Sequence, residues 1–67
     1  MQRFKVIKWQ GGREKPIVFR ANNHTEQGTR FIFWDEQNTF VDEFEKNEIR
    51  GITNLETGEI IFPKPRN

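Results

Sequence analysis

The chain of 67 residues has no cysteine, no serine and no tyrosine, and it has a single histidine. Without cysteine it can form neither a disulfide nor a thiolate metal site, which fits a reducing compartment. Without serine or cysteine it also lacks the commonest nucleophiles of covalent catalysis. No apolar run approaches the roughly 20 residues that span a bilayer, and lysines interrupt the apolar N-terminal residues, unlike a signal peptide. We therefore expect a cytoplasmic protein that is not an enzyme and does not enter a membrane.

Two groups of residues with catalytic or metal-binding potential lack the partners that such sites need. His24 lies in the segment NNHTEQG, which is rich in turn residues, and a lone loop histidine is usually solvated. Acidic residues cluster between 42 and 48, but Asp42 and Glu43 would point to opposite faces of a strand, and no loop has EF-hand spacing. The sequence therefore predicts a solvated acidic surface, with no catalytic residue, no metal site and no cofactor.

Aromatic residues supply much of the potential core, since the chain has seven phenylalanines and two tryptophans. Each buries roughly 150–250 Å², so a few of them can replace many aliphatic side chains. Turn-forming pairs such as Gly11-Gly12 separate short runs of Phe, Ile and Val, a pattern typical of antiparallel strands. We expect a mainly β fold, either a small antiparallel sheet or a barrel of roughly five to six strands, SH3-like or OB-like. It would form one domain over residues 1–62, followed by a basic, proline-containing tail over residues 63–67.

The N-terminal segment predicts a hairpin around Gly11-Gly12, because a type I′ turn needs positive φ at both central residues. The two strands would then pair Gln10 with Arg13, and their side chains would alternate between two faces. One face carries the apolar residues Phe4, Val6, Ile17 and Phe19. The opposite face carries Arg3, Lys5, Ile7 and Trp9 on one strand and Glu14, Pro16, Val18 and Arg20 on the other.

A second hairpin is predicted around a four-residue connection over residues 35–38, which sets Trp34 opposite Thr39 and Phe33 opposite Phe40. The core face would then consist of Phe31, Phe33, Phe40 and Phe44. The opposite face would hold Ile32, Trp34 and Val41, with Arg30 opposite Glu43. A third hairpin would turn over residues 55–58 and close with a strand over residues 59–62.

The segment 38–51 also fits a short helix, which is the alternative to the strand in the second hairpin. Asn38 could act as its N-cap and Gly51 could end it. Phe40, Val41 and Phe44 would share one helical face. Short apolar runs do not separate a strand from a helix by periodicity alone, so a helix near residues 39–49 stays open.

Charge is unevenly spread along a chain whose net charge is only +1. Residues 1–20 contain six basic side chains and one acid, whereas residues 21–62 contain three basic side chains and nine acids. A local excess of this kind indicates an anionic partner for the N-terminal hairpin.

The basic face of this hairpin combines Arg3, Lys5 and Arg20 with Trp9. Platforms for single-stranded nucleic acid use the same combination, with a ring for the bases and cations for the phosphates. The leading hypothesis is therefore a non-enzymatic binding module that docks nucleic acid through these four residues. Two other interpretations stay open: basic stems also shield apolar rings, and the acids of residues 35–48 could neutralise the hairpin within the fold. The isoelectric point of about 8.2 is also below the roughly 9 of dedicated nucleic-acid-binding domains.

The runner-up hypothesis is a small protein-binding regulator or inhibitor. Its contact surface would comprise Ile32, Trp34, Val41 and Glu43, within the acidic segment 35–48. Tryptophan is a frequent anchor of protein interfaces, and a self-contact through this surface would give a monomer in equilibrium with a weak homodimer. The alternative is that a barrel or the tail closes over this surface.

Overall fold

The computed structural model describes residues 1–64, which form seven strands and one short 3-10 turn. The strands are β1 (Gln2–Gln10), β2 (Arg13–Ala21), β3 (Asn23–Gln27), β4 (Arg30–Trp34), β5 (Phe40–Glu45), β6 (Ile49–Asn54) and β7 (Ile60–Phe62). The 3-10 turn, Lys46–Glu48, joins β5 to β6. All pairings are antiparallel, in a four-stranded sheet of order β2-β1-β6-β7 and a three-stranded sheet of order β3-β4-β5. The mainly β, antiparallel fold is confirmed, as two sheets that do not close into a barrel.

The first hairpin has the predicted register, with Gln10 opposite Arg13 and Phe4 opposite Phe19. Gly11 and Gly12 have φ values of 59° and 75°, as a type I′ turn requires. Phe4 is buried in the core, whereas Val18 on the opposite face is exposed. The alternation of side chains along β1 and β2 therefore follows directly from the position of the two glycines.

The core lies between the two sheets, and four phenylalanines supply its aromatic part: Phe4, Phe31, Phe33 and Phe44. Phe33 on β4 is fully buried, and its ring centroid lies 4.8 Å from that of Phe19 and 5.1 Å from that of Phe4. The ring centroid of Phe44 on β5 lies 5.8 Å from that of Phe19 on β2, so these two edge strands meet along one side of the core. Ile52 on β6 is also fully buried. These residues, from five strands drawn from both sheets, thus converge on one cluster.

The second hairpin differs from the predicted register. Its loop spans residues 36–38, because the amide of Asp35 donates a 2.9 Å hydrogen bond to the carbonyl of Thr39. Asn38 has a φ of 60°, and a type I turn that ends in such a residue is a standard three-residue hairpin loop. Trp34 consequently pairs with Phe40, and a bulge follows, after which Phe33 pairs with Asp42.

Phe40 is the residue that this change removes from the core. It is 53% exposed, although the sequence predicted it to be buried opposite Phe33. The shorter loop places Phe40 on the outer face, and the bulge then restores the inward direction of Phe44, which pairs with the buried Phe31. Val41, the extra residue of the bulge, packs against the core instead of lying on the outer face.

Three further segments can be compared with their predictions. Residues 40–45 form a strand, and the helical alternative is reduced to the single 3-10 turn after it. The third hairpin forms as predicted, and Gly58 in its loop has a φ of 77°. The segment around His24 is strand β3, where a turn was expected.

The predicted tail over residues 63–67 lies mostly outside the described residues, which end at Lys64. Within residues 1–64 no helix is long and apolar enough to cross a membrane.

Candidate nucleic-acid interface

The outward surface of β1 and β2, termed the hairpin face, unites the four residues that the sequence singled out for nucleic-acid contact. It comprises Arg3, Lys5, Ile7, Trp9, Glu14, Pro16, Val18 and Arg20. Arg3 pairs with Arg20 across the strands, and Lys5 pairs with Val18. Side chains on one face of a strand are two residues, or about 6.6 Å, apart, so the face extends roughly 20 Å from Arg3 to Trp9.

The cations of the hairpin face fall into two groups. Among residues 1–64, Lys5 and Arg20 form no ion pair. Arg3 does form one, because its Nε lies 2.7 Å from Oε2 of Glu56 in the β6–β7 loop. The hydrogen bond from Arg3, reinforced by its charge, holds the pKa of the Glu56 carboxyl below its ordinary value. Within the described chain, Lys5 and Arg20 thus have no direct ion pair for a ligand to displace, although the charge of Arg20 also acts on Glu56.

The apolar part of the hairpin face is open to solvent. Val18 on β2 is 57% exposed and Trp9 on β1 is 46% exposed. Ile7, which precedes Trp9 on the same face of β1, is half-buried. Val18 lies between Lys5 and Arg20, and Trp9 lies toward the other end of the same face, so the face offers a ligand both an apolar contact surface and a counter-charge.

Basic residues continue beyond the core at the end of this hairpin. Lys8 lies opposite Lys15, and Arg13 follows the turn. None of these three forms an ion pair within residues 1–64. The end of the hairpin therefore holds a local excess of positive charge. This excess is unfavourable in the free protein, because like charges directly opposite each other destabilise a sheet.

Arg50 is a residue of this face that the sequence did not point to. Its guanidinium carbon lies 5.9 Å from the ring centroid of Trp9, and its Nη1 is bonded to Oε2 of Glu14. Both contacts are long-range, since Arg50 belongs to β6. A usable signal did exist: Ile49 and Ile52 are both core-like residues three positions apart, and a regular strand would put them on opposite faces. That spacing indicates a bulge, and a bulge re-aims the side chain at its extra residue.

The predicted protein-contact surface is not an open patch. Ile32 is only 7% exposed, and Val41 packs against the core. Glu43 is bonded to Arg30 at 3.3 Å; the two form a diagonal pair, since Glu43 lies opposite Ile32. Trp34 is half-buried outside the core and donates from Nε1 to Oγ1 of Thr25 at 3.0 Å. The prediction of an exposed Ile32-Trp34-Val41 face is therefore wrong for Ile32 and Val41.

A smaller apolar pair replaces that patch. Phe40 meets Trp34 edge to face, with 6.5 Å between ring centroids. A shallow cavity of about 250 Å³ lies beside Trp34 and is bordered by Asn23, Thr25 and Asn38. The acids of segment 35–48 are largely engaged within the fold, as the bond from Thr29 Oγ1 to Glu45 at 2.9 Å illustrates.

A cleft of about 520 Å³ separates β3 from β7, on the side of the core away from β2 and β5. It is lined by His24, Glu26, Phe31, Glu59, Ile60, Ile61 and Lys64. His24 is half-buried here, with its ring 5.9 Å from that of Phe33, and is not the solvated turn residue that was expected. The hydrogen bond from Lys46 holds the pKa of the Glu26 carboxyl below its ordinary value. No three of the His, Asp and Glu side chains in residues 1–64 converge on a point where a metal ion could bind.

No protein-family model, no curated protein and no solved structure matches this chain. Its function is therefore inferred from the geometry of its own side chains.

Proposed function

We propose that this chain is a non-enzymatic binding module that docks a nucleic-acid strand on the hairpin face. One observation carries the proposal: Lys5 and Arg20, two cations without an ion pair in residues 1–64, lie next to the exposed side chain of Val18, and the exposed Trp9 lies on the same face, about 13 Å from Lys5 along β1. Cations and an exposed ring on one face are what binding of an unpaired strand requires, because phosphates take the charges and bases stack on the ring.

The charge pattern of the hairpin supports an anionic ligand. Arg3 lies opposite Arg20, and Lys8 lies opposite Lys15. Each of these like-charged pairs costs stability in the free protein. A phosphate chain bound on the hairpin face would relieve the repulsion between Arg3 and Arg20, whereas Lys8 and Lys15 lie on the opposite face of the hairpin.

A single strand is a better fit than a duplex. Trp9 can stack only on a base whose face is free, and bases in a duplex are stacked on each other. The other apolar residues of the face, Ile7 and Val18, can cover the edge of a base or a sugar.

The test is a titration of the full chain with a labelled single-stranded oligonucleotide of mixed sequence, followed by fluorescence anisotropy at several salt concentrations. The affinity should fall with rising salt, and Lys5→Gln or Arg20→Gln should each lower the slope of log K against log salt by about 0.7. Arg30→Gln is the matched control, because it removes one positive charge from the other sheet. Its slope should equal that of the wild type.

Two results would contradict the proposal. One is the absence of binding by the wild type at low salt. The other is an equal loss of slope for Arg30→Gln and Lys5→Gln, since binding would then follow the net charge and not the hairpin face.

A protein partner is the second candidate, and the observation in its favour is the exposed Phe40 beside Trp34. An exposed aromatic pair is a typical anchor for another protein or for a second copy of the same chain. Sedimentation equilibrium of wild type and Phe40→Ser would test the second copy directly. Concentration-dependent association that Phe40→Ser abolishes supports this contact, and a monomer at all concentrations rejects a homodimer.

A further inference from the structure

A bulge in β6 places one more cation, Arg50, on the hairpin face. On β1, Ile7 pairs with Gly51 and Lys8 pairs with Ile49, so Arg50 has no partner across the strands. Ile49 and Ile52 both point into the core as a result, and Arg50 points outward. Bulges often direct a side chain toward a neighbouring binding site, so the outward direction of Arg50 indicates a role on the hairpin face.

Arg50 is held on the hairpin face by two contacts from two other strands. Its guanidinium lies over the ring of Trp9 on β1, at 5.9 Å from the centroid, and is bonded to the carboxylate of Glu14 on β2. Trp9 and Glu14 are themselves opposite each other in the β1–β2 pair. Arg50 therefore covers part of the exposed indole, while Glu14 neutralises the charge of Arg50.

We infer that Arg50 is a nucleic-acid contact restrained by Glu14, so that the free protein is held in a state of reduced affinity. This inference rests on the proposed function. A phosphate offers a guanidinium the same two-oxygen acceptor that Glu14 does, and it competes for Arg50 directly. An unpaired base competes with Arg50 for the face of Trp9. Glu14 opposes both events, since it retains Arg50 on the ring and repels phosphate.

The decisive variant is Glu14→Gln, which keeps the size of the side chain and removes its charge. Glu14 and Arg50 are both exposed, so neither Glu14→Gln nor Arg50→Gln should prevent folding, and circular dichroism checks this. At about 0.1 M salt, Glu14→Gln should bind a labelled single-stranded oligonucleotide about two- to fivefold more tightly than the wild type, as the strength of an exposed ion pair implies. Its salt slope should steepen by about 0.7, the contribution of one additional phosphate contact.

Glu43→Gln is the matched control. It also removes one negative charge and frees an arginine from an exposed Arg–Glu pair, but Glu43 and Arg30 lie on the other sheet. Its affinity should stay within about 1.5-fold of the wild type, because charges farther apart than the Debye length of roughly 10 Å are screened at 0.1 M salt.

A double-mutant cycle separates the two actions of Glu14. Arg50→Gln should weaken binding, and the gain from Glu14→Gln should largely disappear in the Arg50→Gln background. An equal gain in both backgrounds would show that Glu14 only repels phosphate, and the role assigned to Arg50 would be rejected. The same rejection follows if the wild type binds and Glu14→Gln leaves affinity and slope unchanged. Absence of binding by the wild type would instead reject the proposed function.

Discussion

Two phenylalanines of the second hairpin, Phe33 and Phe40, provide a sharp test of the fold. They belong to adjacent strands, β4 and β5, but Phe33 is fully buried whereas Phe40 is 53% exposed. The same substitution, to alanine, should therefore have very different effects at the two positions.

The expected magnitudes follow from the contacts of each ring. Phe33 packs against four other rings, with centroids 4.8 to 6.0 Å away, so Phe33→Ala should cost about 3–5 kcal/mol of unfolding free energy. A domain of this length has a total stability of about 3–10 kcal/mol, and Phe33→Ala should leave it barely folded. Phe40 has one ring contact, with Trp34, and Phe40→Ala should cost about 0.5–1 kcal/mol.

The assay is thermal and urea denaturation followed by circular dichroism. In a domain of this size 1 kcal/mol corresponds to about 4–8 °C in Tm, so Phe40→Ala should lower Tm by no more than about 8 °C. Phe33→Leu should be measured as well, because the loss expected for Phe33→Ala approaches the whole stability of the domain. Phe33→Leu should cost roughly 1–2 kcal/mol and remain measurable.

The outcome that would refute this reasoning is a Phe40→Ala variant destabilised as strongly as Phe33→Leu or more. Phe40 would then be a core residue, as a regular four-residue connection requires. The bulge, the exposed Trp34–Phe40 pair and the inward position of Val41 would all be wrong, since a shift of one residue reverses every side chain of a strand.

Three further predictions concern the binding face, a loop and an ion pair. Trp9→Ala should weaken oligonucleotide binding by about 1–3 kcal/mol in an anisotropy titration; an unchanged affinity would remove Trp9 from the site. Asn38 has a φ of 60°, so Asn38→Val should lose about 1–3 kcal/mol in urea denaturation whereas Asn38→Gly should be tolerated, and equal losses would argue against the three-residue loop. The pKa of Glu56 is lowered by its bond to Arg3, so the pair stabilises the fold above the pKa of the unfolded chain and loses this effect as the pH falls through the folded pKa. Over that acidic range the Tm of the wild type should fall more steeply than that of Arg3→Gln, and parallel curves would contradict the coupling.

The first hairpin could be predicted in detail because its causes are local. Two adjacent glycines select the turn, and the turn determines every pair from Gln10 opposite Arg13 to Arg3 opposite Arg20. The alternation of apolar and basic side chains agrees with that register. Three of the four predicted binding residues, Arg3, Lys5 and Trp9, consequently share one face of β1.

The second hairpin was predicted with the wrong register because several loop lengths fit its sequence. The observed loop depends on Asp35, whose Oδ1 accepts hydrogen bonds from the amides of Gln37 and Thr39, each at 2.9 Å. It also depends on Asn38, a residue type that tolerates positive φ. These signals are present in the sequence but weak, and burial of Phe44 is what requires the compensating bulge.

Strand β3 illustrates the limit of pattern reading. Its sequence, NHTEQ, has no apolar alternation, so nothing local marks it as a strand. It becomes one by pairing with β4, from Asn23 opposite Trp34 to Gln27 opposite Arg30. That pairing also brings His24 to the cleft beside β7, with its ring 5.9 Å from that of Phe33.

The sequence by itself determined the mainly β class, the first and third hairpins, and the separation of the basic face from the apolar face. Turn geometry and the alternation of side chains along a strand are sufficient for these, and both depend on residues that are close in sequence. Only the tertiary structure decided which residues meet across strands that are distant in sequence. Arg50 reaches Glu14 across 36 positions, and that contact depends on the sheet order β2-β1-β6-β7 and on a bulge that keeps Ile49 and Ile52 in the core. The physical reason is that sheet order and bulges are set by burial of the whole core, whereas turns and alternation are set by a few neighbouring residues.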